Sequence, residues 1–157
     1  MTKFQNGKKL IQLIQKFMKK KSQKSTSKLK KELDNIFSLF IRLRNADSSG
    51  MISCFTCGCK KHYKSGMHCG HFQSRKFLCT RFSETNCQNQ CAGCNIFKYG
   101  EQYKFAVELD LKYGEGTAAR LEQDARGICK ISRAEYIEQI TYYKRLVENL
   151  KLENQIE

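Results

Sequence analysis

The residues whose types and spacing could do chemistry are two cysteine pairs and a histidine between them. Cys54 and Cys57 form one C-x-x-C and Cys91 and Cys94 a second, with 33 residues between Cys57 and Cys91. Each pair presents two thiolates on a tight turn, and four thiolates suit tetrahedral zinc. Gly58 follows the first pair and Asn95 the second, both residue types that accept turn geometry. The expected role is a structural Zn2+ that staples a stretch too polar to rely on apolar burial. The competing readings are two unrelated thiol pairs or a redox C-x-x-C, although no βαβ pattern surrounds either pair. Nine cysteines in a chain expected to stay in the cytoplasm point to metal more than to disulfides. Of the remaining five, Cys59 is a stand-in ligand for the first knuckle. Cys69, Cys79, Cys87 and Cys129 read as small buried hydrophobes.

Between the knuckles lie HCGHF (68–72) and ETNCQNQCAGCN (84–95). A histidine, then an asparagine, then an asparagine directly after a C-x-x-C is the order found in HNH nucleases. Phosphodiester hydrolysis needs a base for water, a cation on the scissile phosphate and help for the leaving oxygen. Imidazole suits the first task near neutral pH, and a divalent cation the others. On this reading His71 is the general base on the first strand of a hairpin. Asn86 sits on or near the second strand and holds the loop or the histidine backbone. Asn95 starts a helix and, with His68, faces a catalytic Mg2+ or Mn2+. Arg75, Lys76 and Arg81 are the phosphate contacts. The plainer alternatives are a structural or zinc-binding His71, turn roles for Asn86 and Asn95, surface positions for His68 and His62, and solvated loop charges.

The elements that must position these groups follow from apolar spacing. Residues 8–20 place Leu10, Ile11, Leu13, Ile14, Phe17 and Met18 at helical intervals with lysines opposite. This is a basic arm for DNA that includes Lys19, Lys20 and Lys21, with a membrane-surface helix as the alternative. Residues 29–46 read as a second helix that packs on the core and ends at Asp47–Gly50, with Arg42 and Arg44 as solvated positions and DNA contact as the alternative. Residues 51–100 hold two or three short strands and a helix start near Cys94. Helices follow over 101–113 and 117–126. The last begins at Ser132 with Glu135 three residues on, a capping box. The fold class is α+β: a small zinc-stapled ββα-metal (HNH-like) core with flanking helices. The expected organisation is arm and linker over 1–28, helix over 29–50, zinc-bound core over 51–116 and C-terminal helices over 117–157.

The net charge is +14. Residues 1–33 hold eleven lysines against Glu32 alone, so most of the excess is local. An excess of this size implies a polyanionic partner, nucleic acid first and an anionic membrane surface second. No segment approaches the apolar length that spans a bilayer, and the N-terminal apolar run lacks a signal-peptide cleavage site.

The stretches FIRLRNAD (40–47), SCFTCG (53–58), CGHF (69–72), TRFSETN (80–86) and QCAGCN (90–95) resemble the phage NinG (Rap) recombination endonucleases. The similarity runs over roughly residues 36–123 and leaves the basic arm outside. It implies an enzyme that cuts branched DNA such as Holliday junctions and D-loops with Mg2+ or Mn2+. It carries the base role to His71, the zinc role to Cys54, Cys57, Cys91 and Cys94, and supporting roles to Asn86 and Asn95. The sequence departs from the pattern in its acids. Many HNH enzymes place Asp directly before the base, where Gly70 stands here; the NinG pattern has an acid where His68 stands. Histidine shifts metal preference towards softer ions, and Glu84 is a substitute acid.

Three functions follow. The first is a metal-dependent structure-specific endonuclease, a homodimer because a four-way junction takes two symmetric cuts, with the C-terminal helix as candidate interface. The second is a sequence-tolerant HNH nicking nuclease. The third is a non-catalytic zinc module that binds DNA.

Overall fold

The computed structural model describes residues 24–156; the amphipathic arm, with Lys19, Lys20 and Lys21, lies outside them. Helix α1 (Thr26–Leu43) starts where Ser25 Oγ accepts from Lys28 N, a side-chain cap for an otherwise orphaned donor. Leu29, Leu33, Phe37, Phe40 and Ile41 recur at three- and four-residue steps, and all are buried. The helix ends in an Asp47 turn, whose Oδ1 accepts from the N–H groups of Ser49 and Met51. Gly50 closes it at φ +73°, where a Cβ would stand 2.6 Å from the ring of His62. His62 is therefore half-buried against this turn rather than a free surface residue.

Four short strands form two antiparallel hairpins rather than two or three strands. In the first, β1 (Met51–Ser53) pairs with β2 (Lys60–His62), and the Cys54–Cys57 knuckle is its turn. In the second, β3 (Met67–His71) pairs with β4 (Cys87–Cys91), with Met67 opposite Cys91 and His71 opposite Cys87. The two hairpins meet where Phe55 N donates to Asn89 O. Between β3 and β4 runs a loop with one helical turn, α2 (Leu78–Arg81).

After β4 the chain makes a five-residue π-helical turn, Gly93–Phe97, then α3 (Gln102–Tyr113), α4 (Thr117–Ala125) and α5 (Arg133–Glu153). The expected capping box is present, with Ser132 Oγ accepting from Glu135 N and Glu135 Oε2 accepting from Ser132 N. Helix α5 lies along α1, and Tyr136, Ile140, Tyr143 and Val147 are buried there. Phe37 stacks edge-on to Tyr143 at 4.9 Å, and Phe40 lies 5.1 Å from the same ring. That face of α5 is thus used within the chain. A second, smaller core joins Phe105, Leu109, Ala118 and Leu121 to Phe55 and Phe72. Among the described residues no helix is long and apolar enough to cross a membrane.

Four residues read as simple features turn out otherwise. Cys79 and Cys129 are joined in a disulfide, which ties α2 to the loop before α5 and corrects their reading as isolated buried hydrophobes. Their Cα atoms are 5.2 Å apart although 50 residues separate them, a proximity that only the tertiary fold creates. Arg44, expected to be solvated, is an internal clamp. Its guanidinium donates to Glu84 O, Cys87 O and Gln88 Oε1 at 2.7–3.1 Å. Arg42 likewise donates to Tyr63 O at 2.8 Å.

Candidate metal centre and catalytic cleft

The first hairpin turn and the end of β4 bring five sulfurs together. Cys54, Cys57, Cys59 and Cys91 lie within 4.8 Å of one another. Cys94 adjoins them, its N–H donating to Cys91 Sγ at 3.4 Å. The expected set of Cys54, Cys57, Cys91 and Cys94 is therefore gathered, and Cys59 stands inside the closest foursome as well. Backbone N–H groups already point at the sulfurs, with Cys91 N donating to Cys54 Sγ at 3.3 Å. Burial opposes ionisation of Cys54. Hydrogen bonds from Thr56 Oγ1 and from the N–H groups of Cys91, Cys57 and Thr56 outweigh it and bring that thiol down to about 6. Cys59 and Cys94 are pushed up to about 12, by burial first and then by the sulfurs crowded beside them. Sulfurs this close together, with backbone N–H groups aimed at them, are a donor set suited to a soft cation. The chemistry of this cluster fits zinc.

His71 is the last residue of β3 and lines a cleft of about 600 Å³ together with Arg75, Lys76, Asn95 and Tyr99. Its Nδ1 lies 3.2 Å from Cys69 O and its Nε2 3.2 Å from Arg81 O. Burial is the main cause that brings its pKa down to about 4, and the Arg75 charge adds to it. The ring is neutral at pH 7. A neutral ring has one N–H, so one carbonyl is served and the other faces a lone pair.

Asn86 stands directly before β4. It is fully buried, and its Oδ1 accepts from Gln73 N at 2.6 Å. Its Nδ2 donates to Gln73 O and Thr80 O, both at 3.0 Å. These bonds hold the loop that follows His71. Asn95 sits in the π-helical turn, half-buried, with Nδ2 3.2 Å from His68 Nδ1. The two residues expected to face a catalytic ion are thus neighbours, at a second opening that Arg42 and Arg75 also line.

Arg81 is the clearest correction at the site. It grips Asp34 of α1 through two bonds of 2.9 and 2.6 Å and donates to Arg75 O. With its charge spent on Asp34 and its side chain largely buried, it is an internal clamp and not a phosphate contact. Arg75 and Lys76 are exposed at the cleft, as expected. Glu84 is not a substitute acid: it accepts from Tyr143 OH at 3.2 Å and faces Arg44 at 3.5 Å, and it lines neither opening.

Sequence reasoning missed two features here. Gln90 is fully buried, its Nε2 donating to Thr56 Oγ1 at 3.2 Å and Gly100 O at 2.7 Å. Its amide lies over Gly70, so Gly70 is bare because the space is taken. Phe97, Tyr99 and Tyr103 are exposed in and just after the π-helical turn. Their clustering within seven residues, with Lys98 between them and Lys104 just after, was a visible signal.

These features define a small α+β protein built round a cysteine cluster able to hold a metal ion. The chain belongs to the NinG family: the family model described as Bacteriophage Lambda NinG protein matches residues 3–153. The match takes in the basic arm, which the resemblance over residues 36–123 had left outside. No curated protein and no solved structure matches the chain.

Proposed function

We propose that this protein is a metal-dependent endonuclease of phage recombination that cuts branched DNA, Holliday junctions and D-loops among them, in the host cytosol. The observation that carries the reading is the convergence of a neutral His71 with Asn95, Arg75 and Lys76 on one cleft. The strand, strand, helical-turn order that delivers them supports an HNH-like ββα-metal core.

The zinc cluster would staple the two hairpins and set where the Asn95 turn begins. The cluster residues fit that role, and zinc supplies cross-linking, not chemistry, there. The second opening offers His68 nitrogen and Asn95 oxygen, and neither lining contains a carboxylate. This donor set fits Mn2+ better than Mg2+. A bound divalent ion would supply charge stabilisation at the scissile phosphate. His71 takes the proton of the attacking water on whichever ring nitrogen carries none. The imidazolium that results can donate to both Cys69 O and Arg81 O, so the two carbonyls stabilise the charged product of that step. Arg75 and Lys76 hold phosphates without reading sequence. Tyr99 and Phe97 offer stacking surfaces to the unpaired bases of a branch point. Two symmetric cuts call for two copies of the chain on one junction.

One observation favours a second reading, a non-catalytic zinc module that binds DNA: both ring nitrogens of His71 face backbone carbonyls. Cleavage of a labelled four-way junction beside linear duplex, with Mn2+ and with Mg2+, separates the two. Cutting by wild type and its loss in His71→Ala support the enzyme. Binding without cutting under either ion supports the module.

A further inference from the structure

A second group of metal-ligating atoms stands apart from the five-cysteine cluster. The sulfurs of Cys69 and Cys87 and a ring nitrogen of His71 lie within 4.8 Å of one another. The β3–β4 ladder creates the group: Cys69 and His71 alternate onto one face, and Cys87 stands opposite His71. Cys87 and Cys91 are four residues apart on β4, which puts the new group about 13 Å from the zinc cluster at strand rise.

Both thiols are buried and neither is in a disulfide. His71 Nε2 and Cys87 Sγ approach the same carbonyl oxygen of Arg81, at 3.2 and 3.6 Å. Tetrahedral zinc, with Zn–S about 2.3 Å and Zn–N about 2.0 Å, spaces its ligand atoms by about 3.5–3.8 Å. The three donors, within 4.8 Å of one another, therefore need to close by about 1.3 Å at most. Two thiolates cancel the charge of a divalent ion, so the filled site adds no net charge to a cleft already holding Arg75 and Lys76. Cys69 and His71 border the open cleft, which leaves room for water as a fourth ligand. Asn89 stands opposite Cys69, and its buried Oδ1 has no hydrogen-bond partner among the described residues. It is an acceptor that a metal-bound water on this face would satisfy.

We propose that Cys69, His71 and Cys87 form a second, thiophilic metal site with three protein ligands and one open position, and that zinc bound there switches the cleft off by occupying the His71 lone pair. Filling the site releases two thiol protons to solvent and changes no oxidation state. The binding half stands on the cluster alone; the switching half rests on the nuclease reading.

Titrating the metal-free full chain with Co2+ and following the ligand-field and sulfur charge-transfer bands tests the binding half. Wild type takes up two sulfur-bound equivalents, while Cys69→Ser and Cys87→Ser each take up one. Because Cys87 is fully buried, Cys69→Ala and His71→Gln are measured alongside, each with circular dichroism to confirm folding. Saturation of wild type at one equivalent overturns the site, as does a second equivalent that survives in every folded variant. For the switch, Mn2+-supported junction cleavage is measured with one added equivalent of Zn2+, each protein against its own zinc-free rate. The wild-type rate falls about ten-fold or more and the Cys69→Ser rate less than about two-fold, as expected for mass action at a tight site. Equal inhibition of both overturns the switch. If zinc-limited wild type cuts nothing, the nuclease reading and the switch fall together, and the cobalt stoichiometry still decides the site.

Discussion

Gly70→Ala is a one-methyl change with a large expected effect. A Cβ at this position would stand 2.2 Å from Gln90 Oε1, 2.8 Å from its Cδ and 2.9 Å from its Cγ. Gln90 cannot step aside freely, because it is fully buried and its Nε2 holds Thr56 Oγ1 and Gly100 O. Moving it breaks two hydrogen bonds and strands Gly100 O, a cost of about 2–4 kcal/mol at the usual penalty for buried unsatisfied groups. The damage spreads in two directions. Thr56 touches Cys54 Sγ at 3.5 Å, and Gly100 N closes the Asn95 turn by donating to Cys94 O. The assay is urea unfolding of Gly70→Ala, Gln90→Ala and the double variant, each loaded with zinc. Each single change costs about the same, and the double costs no more than either, because both act by removing one amide from its partners. Additive costs, or a loss below about 0.5 kcal/mol for Gly70→Ala, would refute the reasoning. The same crowding means that Gly70→Asp, which restores the acid many HNH enzymes carry there, destabilises the protein instead of improving it.

Three further outcomes follow from the site. His71 has a folded pKa of about 4 against an ordinary 6.5, so the unfolded chain takes up a proton that the native protein refuses. Stability is then full above pH 6.5 and falls by at most about 3 kcal/mol as pH drops towards 4. Acid unfolding of protein loaded with one equivalent of zinc shows that slope, and His71→Gln loses it; an unchanged slope would contradict the burial argument. Arg75→Ala weakens junction binding and lowers the salt slope by about one unit. It also raises the His71 pKa, moving the acid limb of the rate profile to higher pH, whereas a downward move would show that Arg75 does not act on the ring. Chelation of zinc melts both hairpins, read as loss of near-ultraviolet circular dichroism, since binding energy at such a site is folding energy. A chelated chain that keeps its native melting temperature would remove the cluster from the structural account.

The parts of this architecture written in local spacing were legible. The C-x-x-C pairs, the helix periods and the Ser132 cap each depend on residues a few positions apart. What escaped depends on partners brought together by folding. Arg81 looked like a phosphate ligand because its attachment to Asp34, 47 residues away, has no local signature. Arg44 and Glu84 were misplaced for the same reason, as charges whose partners lie across α1, β4 and α5. Gly70 read as a missing acid because the amide that fills its space belongs to the opposite strand. The Cys79–Cys129 bond was hidden by a compartment argument, which bears on where disulfides persist and says nothing of which side chains meet.

The central claim is that His71 acts as the base of a nuclease centre that the cysteine cluster holds in shape. The measurement that tests it most directly is single-turnover cleavage of a labelled four-way junction by zinc-limited protein with Mn2+. Wild type and His71→Ala are compared across pH, with binding measured in parallel. The account predicts equal binding and a loss of cleavage of about 100-fold or more in the variant, the scale of a missing general base. Cleavage by His71→Ala at the wild-type rate, or none by wild type under conditions where it binds, would contradict it.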